Sequence, residues 1–293
     1  MTMIKMFILQ ARRVQIAKIL VYAQQHFWNN DYNPQERHIF KMCVKYSTWF
    51  VIFVFSVPST SLTGYVITPI FDINSVCVYI IGMGYVCPDI LMCLLNVHAV
   101  GQFRILQYRM LNFWNIVCKD SDPEKYTEEC YMALKKCIRQ HQLIIVFCNM
   151  MESVYSTTIF IHVTIVSVLM CLDWYEILLA NPGNAMRLIF IFHMLGSLGH
   201  LCILTCSCHY MMEESSNIVR AAYGGSWSSL PMNQSGRSLR TAMMFIMIRA
   251  MKPCCITAAG FFPVSLETFT TILSSTFSYF TLMRNSFTKD EDE

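Results

Sequence analysis

The stretch Cys255-Ile-Thr-Ala-Ala-Gly-Phe-Phe-Pro-Val-Ser-Leu-Glu-Thr-Phe-Thr-Thr-Ile-Leu-Ser-Ser-Thr-Phe-Ser-Tyr-Phe-Thr-Leu-Met283 decides how this chain is read. It is long enough to cross a bilayer, which takes about twenty apolar residues. It is also rich in hydroxyl side chains. Glu267, Thr271, Ser274, Ser278 and Thr281 follow at steps of 4, 3, 4 and 3, which on a helix is one face. Phe262, Leu266, Phe269, Leu273, Phe277 and Phe280 fall opposite. A membrane helix with a polar stripe turns it away from lipid, towards an aqueous path or towards helices that pack through small hydroxyl residues. The residues alone leave both readings open.

The rest of the chain supports a membrane protein. Of 293 residues, 55% are hydrophobic and only 14% charged, too apolar a balance for an ordinary soluble domain. The apolar residues gather into five expected spans, roughly 44–67, 76–97, 153–172, 188–208 and 256–283. Basic residues alternate between the gaps. There are seven in 1–45 and seven in 98–152, with none in the gap between the first two spans. Five lie in 209–255, one in 173–187 and two after Met283. Nineteen of the twenty-two therefore fall on one side, and the positive-inside rule makes that side cytoplasmic. The expected fold is an all-α, polytopic helical membrane protein with a cytoplasmic N-terminus and an extracellular C-terminus. Its segments are a cytoplasmic 1–43, two spans within 44–97, a cytoplasmic helical connection at 98–152 and two spans within 153–208. A cytoplasmic connection with an amphipathic helix follows at 209–255, then a last span at 256–283 and an acidic outer tail at 284–293. No signal peptide is evident, since Ala11-Arg-Arg-Val follows the brief apolar start.

Local signals add detail. Ser121-Asp-Pro-Glu124 has the chemistry of a helix start, and Leu134, Cys137, Ile138, His141 and Ile145 recur at helical spacing after it. That predicts a helix beginning in the cytoplasm and running towards the third span. Phe103–Val117 and Leu239–Met251 would join it in a cytoplasmic bundle. Tyr223-Gly-Gly-Ser-Trp227-Ser-Ser-Leu-Pro231 reads as a loop. Gly82, Gly84 and Pro88 would permit a kink in the second span.

Enzyme signatures are poor, with no phosphate-cradling glycine loop, HExxH or Gly-x-Ser-x-Gly. Asp89 is the most costly residue at bilayer depth, and either serves a site or is hydrogen-bonded to a neighbouring helix. Cys202, Cys206 and His209 share a helix face and could offer metal ligands. His162, His193 and His200 are read as satisfied interior groups, because a proton relay would want further acids nearby. No cofactor, resident metal, catalytic residue or nucleic-acid partner is expected. Among the fourteen cysteines only Cys77 and Cys171 fall near the outer surface, where pairing is conceivable.

A resemblance extends these readings. Glu213-Glu-Ser-Ser-Asn217, Ala221-Ala-Tyr-Gly-Gly-Ser-Trp227, Pro231, Ile248-Arg-Ala-Met-Lys-Pro253, Ala258-Ala-Gly-Phe-Phe-Pro-Val-Ser-Leu-Glu-Thr-Phe-Thr270 and Thr276-Phe-Ser-Tyr-Phe-Thr281 occur in order. Together they resemble the C-terminal signature of insect odorant receptors. That family has seven spans with an inner N-terminus and outer C-terminus, so the five expected here would be its third to seventh. The chain then reads as lacking two spans, as in a truncated gene model, a partial clone or a splice form.

The resemblance implies a tuning subunit that binds small volatile odorants. With the odorant co-receptor it would form a hetero-tetrameric, odorant-gated, non-selective cation channel in the plasma membrane of an olfactory neuron dendrite. The last helix would line the pore with Glu267, Thr271, Ser274, Ser278 and Thr281, placing Leu282 at an apolar gate and Ser286 one turn beyond. Phe53, Ser56, Tyr79, Met83, Phe192 and Leu195 are the candidate odorant contacts. Tyr223, Trp227, Arg249 and Pro253 belong to the implied intracellular assembly region. The alternatives are a gustatory receptor, a non-conducting subunit that binds the co-receptor and, more distantly, a membrane enzyme or proton-coupled transporter.

Overall fold

The structure is a computed structural model. It describes the backbone of residues 2–67, 73–116, 123–178, 183–225 and 234–290. Side chains are described for these except at 2, 50, 53–67, 73–81, 83, 113–116, 123–125, 127, 235, 283 and 285–290. Two short helices open the chain, α1 (Thr2–Ala11) and α2 (Arg13–Ala23), and a single π-helical turn follows at Gln24–Trp28. Four long helices come next: α3 (Pro34–Ile67), α4 (Ile73–Ile116), α5 (Pro123–Leu178) and α6 (Asn184–Tyr223). The chain closes with α7 (Gln234–Ala250), a hairpin of two-residue strands, β1 (Thr257–Ala258) and β2 (Phe262–Pro263), and α8 (Leu266–Asp290).

Among the described residues, three stretches are long and apolar enough to cross a membrane: Gly84–Asn112, Glu128–Leu178 and Asn184–Tyr223. The other two expected spans fall on α3, whose side chains from Phe53 lie outside the described residues, and on α8. The connection after Met150 is not a break. At 56 residues, α5 is one helix of ~84 Å at 1.5 Å per residue. It starts at Pro123, where the fixed φ and missing N–H of proline suit a first turn. Likewise α4 runs unbroken through Pro88 and on to Ile116, so the stretch from Phe103 to Ile116 is its extension and not a separate helix, and Val117 lies outside the described residues.

The core is built from three seams. On α4 the buried or half-buried line is Tyr85, Asp89, Met92, Asn96, Ala99, Phe103, Leu106 and Met110. On α5, buried residues run from Cys130 through Leu134, Cys137, His141, Ile144, Cys148, Met151, Tyr155 and Thr158 to His162. On α6, Leu201, Leu204, Cys208, Met211, Ser215, Ile218 and Ala222 are buried. Each line alternates steps of three and four, the seven-residue repeat that lets neighbouring helices wind about each other. Of the α5 residues at helical spacing, Leu134, Cys137 and His141 lie in the seam, while Ile138 and Ile145 are half-buried beside it. α4 lies at the centre, packed against α1, α3, α5 and α6.

The last span differs most from expectation. Residues 257–263 are not helical but form the hairpin, with Thr257 opposite Pro263 and Ala258 opposite Phe262. Phe262 is therefore a strand residue and does not extend the apolar face of α8. The turn places Ala259 (φ 50) and Gly260 (φ 79) in the left-handed region, and the Phe261 N–H donates to the Ala258 carbonyl. The Ala259 N–H reaches the Ser156 carbonyl, docking the hairpin on α5. Ser265 then caps α8, its Oγ accepting from the Thr268 N–H at 3.3 Å.

Candidate functional site

The polar stripe survives on α8. Glu267, Thr271, Ser274 and Ser278 are exposed and Thr281 is half-exposed, while Thr276 and Phe280 are buried. The hydroxyls satisfy themselves along the helix. Thr271 donates to the Glu267 carbonyl at 2.9 Å, Ser278 to Ser274 at 2.9 Å and Thr281 to Ser278 at 2.8 Å. Each oxygen keeps lone pairs facing outward, so the face can be wetted yet needs no protein partner. An open groove runs along it, lined by Thr270, Thr271, Ser274, Ser275, Ser278 and Tyr279. The buried side of α8 packs on α5 and α6, with Phe280 against Trp174 of α5. That side is Phe269, Ile272, Thr276 and Phe280. Leu273 and Phe277, expected opposite the stripe, remain largely exposed.

Glu267 lies in the first turn of α8, where a carboxylate suits the helix dipole. No ion pair joins it to Arg249 or Lys252; the Arg249 guanidinium instead donates to the Lys252 carbonyl at 3.0 Å. Leu282 is 69% exposed, in the C-terminal half of α8. The side chain of Ser286 lies outside the described residues.

Of the expected odorant contacts, Phe192 and Leu195 are exposed on α6. The side chains of Phe53, Ser56, Tyr79 and Met83 lie outside the described residues. Of the assembly residues, Tyr223 and Arg249 are exposed and Pro253 is half-buried, while Trp227 lies outside the described residues. Sequence reasoning missed the exposed apolar side of α7. Leu239, Met243, Ile246 and Ala250 bury one face, yet Met244, Phe245, Ile248 and Met251 are each more than half exposed. The run Met243-Met-Phe-Ile-Met-Ile248 was the signal, since a helix apolar on both sides must cover the second one.

A second constellation sits higher in the bundle. Asp89 is buried and accepts from Lys5 Nζ at 2.5 Å, while His200 Nε2 lies 2.7 Å from the same Oδ2. His162 Nδ1 is 3.7 Å from it. Tyr85 contacts His162 Nε2 at 3.0 Å, and Lys5 lies 4.1 Å over the Tyr85 ring. Lys5, counted with the basic N-terminal segment, thus packs beside the costly acid of the second span. The histidines do have acids nearby after all, since His193 Nδ1 also lies 2.8 Å from Asp173 Oδ2. Cys202 and Cys206 have sulfurs 3.8 Å apart, but His209 does not join them in a ligand cluster. Among the described residues, the group of three with ligand atoms close enough for a metal is Asp89, His162 and His200. Cys171 is a free thiol, 3.8 Å from the Thr276 carbonyl, and the side chain of Cys77 lies outside the described residues.

Alongside the apolar seams two sets of ionic contacts tie the helices together. Arg109 makes a two-pronged pair with Glu36 and donates to Gln140 Oε1 at 2.8 Å, joining α4 to α3 and α5. Arg104 and Gln107 both bind Glu214, joining α4 to α6.

Comparison with known proteins agrees with this arrangement. The family described as 7tm Odorant receptor matches residues 37–277. Odorant receptor 13a of Drosophila melanogaster is 25% identical over 203 residues, covering 66% of this chain and 47% of that protein. Odorant receptor 42a of the same fly is 29% identical over 164 residues, 55% of this chain and 38% of the relative. The chain spans about half the length of the curated relatives it matches. Among solved structures, the insect olfactory receptor OR5 from Machilis hrabei superposes with a TM-score of 0.74 at 16% identity, covering 96% of this chain and 77% of that one. Its complex with eugenol gives 0.73 at 14% identity, covering 93% and 74%. At that identity the likeness shows the fold, that of a helical membrane protein.

Proposed function

The chain belongs to the 7tm odorant receptor family, and from that membership we propose that it is a receptor subunit that binds small volatile apolar molecules. With the odorant co-receptor it forms a hetero-tetrameric, odorant-gated, non-selective cation channel in the plasma membrane of olfactory neuron dendrites. The observation that carries this reading is α8: one side is buried on α5 and α6, while a continuous hydroxyl stripe headed by Glu267 faces away from the bundle. Four such helices around an axis would give a wetted wall, and a ring at Leu282 would close it by dewetting.

Orientation follows the charge pattern, with 98–152 and 209–255 cytoplasmic and α8 emerging outside. The apolar exposed side of α7, together with Tyr223, Trp227, Arg249 and Pro253, is the proposed assembly surface. Odorant contacts are assigned to Phe53, Ser56, Tyr79, Met83, Phe192 and Leu195. Gating requires the odorant to bind the open arrangement more tightly than the closed one, since a ligand indifferent to the two shifts nothing.

The test is odorant-evoked current from this chain expressed with the co-receptor, compared with Glu267→Ala and Leu282→Ala. Altered cation selectivity in the first and a raised basal current in the second are expected. No current, with the chain at the surface and bound to the co-receptor, would make it a non-conducting subunit instead.

A further inference from the structure

Asp89, His162 and His200 are contributed by α4, α5 and α6, and all three side chains turn towards one point between the helices. His162 is 1% exposed, and its Nδ1 has no hydrogen-bond partner among the described residues. Whichever way the proton lies in the Tyr85–His162 bond, that nitrogen faces the Asp89 carboxylate across 3.7 Å. An imidazole nitrogen and a carboxylate oxygen held at that separation describe the edge of a cation site.

We propose that Asp89, His162 and His200 form a transition-metal site of the Zn²⁺ or Cu²⁺ class, for which the Lys5 ammonium is the tethered competitor. The donor set supports that class. One carboxylate with two imidazoles suits zinc or copper, whereas calcium and magnesium want oxygen throughout. The dimensions fit as well. A tetrahedral ion with bonds near 2.0–2.1 Å holds its ligand atoms about 3.3 Å apart. Here the two histidine nitrogens lie 2.7 and 3.7 Å from the Asp89 oxygen, and all three atoms fall within 4.8 Å of one another. Tyr85 supplies the outer support that ligating histidines usually have, holding His162 through its other ring nitrogen. Three protein ligands leave a fourth position, and Lys5 Nζ now lies against it, 2.5 Å from the shared carboxylate oxygen.

An ammonium has no lone pair to offer a metal, so the two occupants exclude each other. Metal entry must expel Lys5 and weaken the hold of α1 on α4, and Lys5 in place must weaken metal affinity. This linkage has a sign that a purely structural ion pair lacks.

The experiment titrates the whole purified chain, in detergent or lipid discs, with Co²⁺ followed by its visible d–d absorption, then with Zn²⁺ as displacing ion. One Co²⁺ per chain with low-coordinate bands is expected, lost on adding Zn²⁺. His162→Gln and His200→Gln should each weaken binding at least tenfold. Lys5→Met should tighten it about tenfold, and Zn²⁺ should raise the melting temperature of Lys5→Met more than that of the parent chain. Binding unaffected by both histidine changes would place the metal elsewhere, Cys202 and Cys206 being the obvious thiols, and would overturn the proposal. No d–d bands in either the parent or Lys5→Met would overturn it too. If the histidine variants do not fold, Lys5→Met decides alone: affinity unchanged or weaker refutes the site.

Discussion

The guanidinium of Arg109 grips the Glu36 carboxylate with two prongs, Nε to Oε1 at 2.6 Å and Nη2 to Oε2 at 2.9 Å, across 73 positions of sequence. Glu36 is 3% exposed, and its Oε2 also accepts from the Asn33 N–H at 3.1 Å. Removing one partner of such a pair strands a buried charge. Glu36→Gln should therefore cost roughly 2–4 kcal/mol in detergent unfolding, and Arg109→Met a comparable amount.

The same pair sets a pH dependence. Burial alone would raise the Glu36 carboxyl, but the Arg109 hydrogen bond and charge, with the Asn33 N–H, hold it below its ordinary 4.5. A depressed folded value means the pair stabilises fully above about pH 4.5 and fades as pH falls through the lower folded value. Melting temperature measured down from pH 6 should fall more steeply below pH 4.5 in the parent chain than in Glu36→Gln. Equal slopes would show that the pair is energetically silent.

Accessibility separates pore from packing on α8. Cysteine at Ser274 or Ser278, on the exposed stripe, should react with a charged thiol reagent and reduce odorant-evoked current. Cysteine at Thr276, which is 1% exposed, should be spared. The parent chain, whose Cys87 is exposed, is the control. Equal protection at all three positions would mean the stripe is packed and not wetted.

On α7 the two apolar sides should behave differently. Phe245→Ser with Ile248→Ser should abolish recovery of the chain with the co-receptor while leaving its own stability within about 1 kcal/mol of the parent. Met243→Ala, at a residue 2% exposed, should lower stability by roughly 2–5 kcal/mol. If the double change, like Met243→Ala, acts on stability alone, the exposed side is not an interface.

The hairpin turn offers a local test. Ala259→Gly relieves a left-handed alanine that costs about 1 kcal/mol, so it should leave stability unchanged or raised. Gly260→Ala should lower it by a similar amount, for conformational reasons alone, because an added Cβ there meets nothing within 4 Å. A larger loss would point to a contact at the turn.

Helix placement was legible because long apolar runs broken by Gly, Pro and charge have few other solutions. The seams were legible only in part. On α5 the repeat seen at Leu134, Cys137 and His141 continues through Cys148, Tyr155, Thr158 and His162, whose polar atoms hide a periodicity that burial reveals. Ala258-Ala-Gly-Phe-Phe-Pro263 carries no Asn-Gly or Asp-Gly, so an apolar hairpin passed for the start of a span. The cation beside Asp89 lies 84 positions away on a short helix with no motif to announce it. On α8 the stripe was visible from its spacing alone, since both a groove and a packed face need the same period.

Unbroken length gives α5 mechanical reach. It carries His162, receives the hairpin at Ser156 and meets α8 at Trp174 and Cys171. A stiff rod of ~84 Å that pivots by about 5° at one end sweeps the other through about 7 Å. No hinge is needed along the way: leverage alone would carry a displacement of about 1 Å near Cys130 into about 7 Å at the far end of the helix.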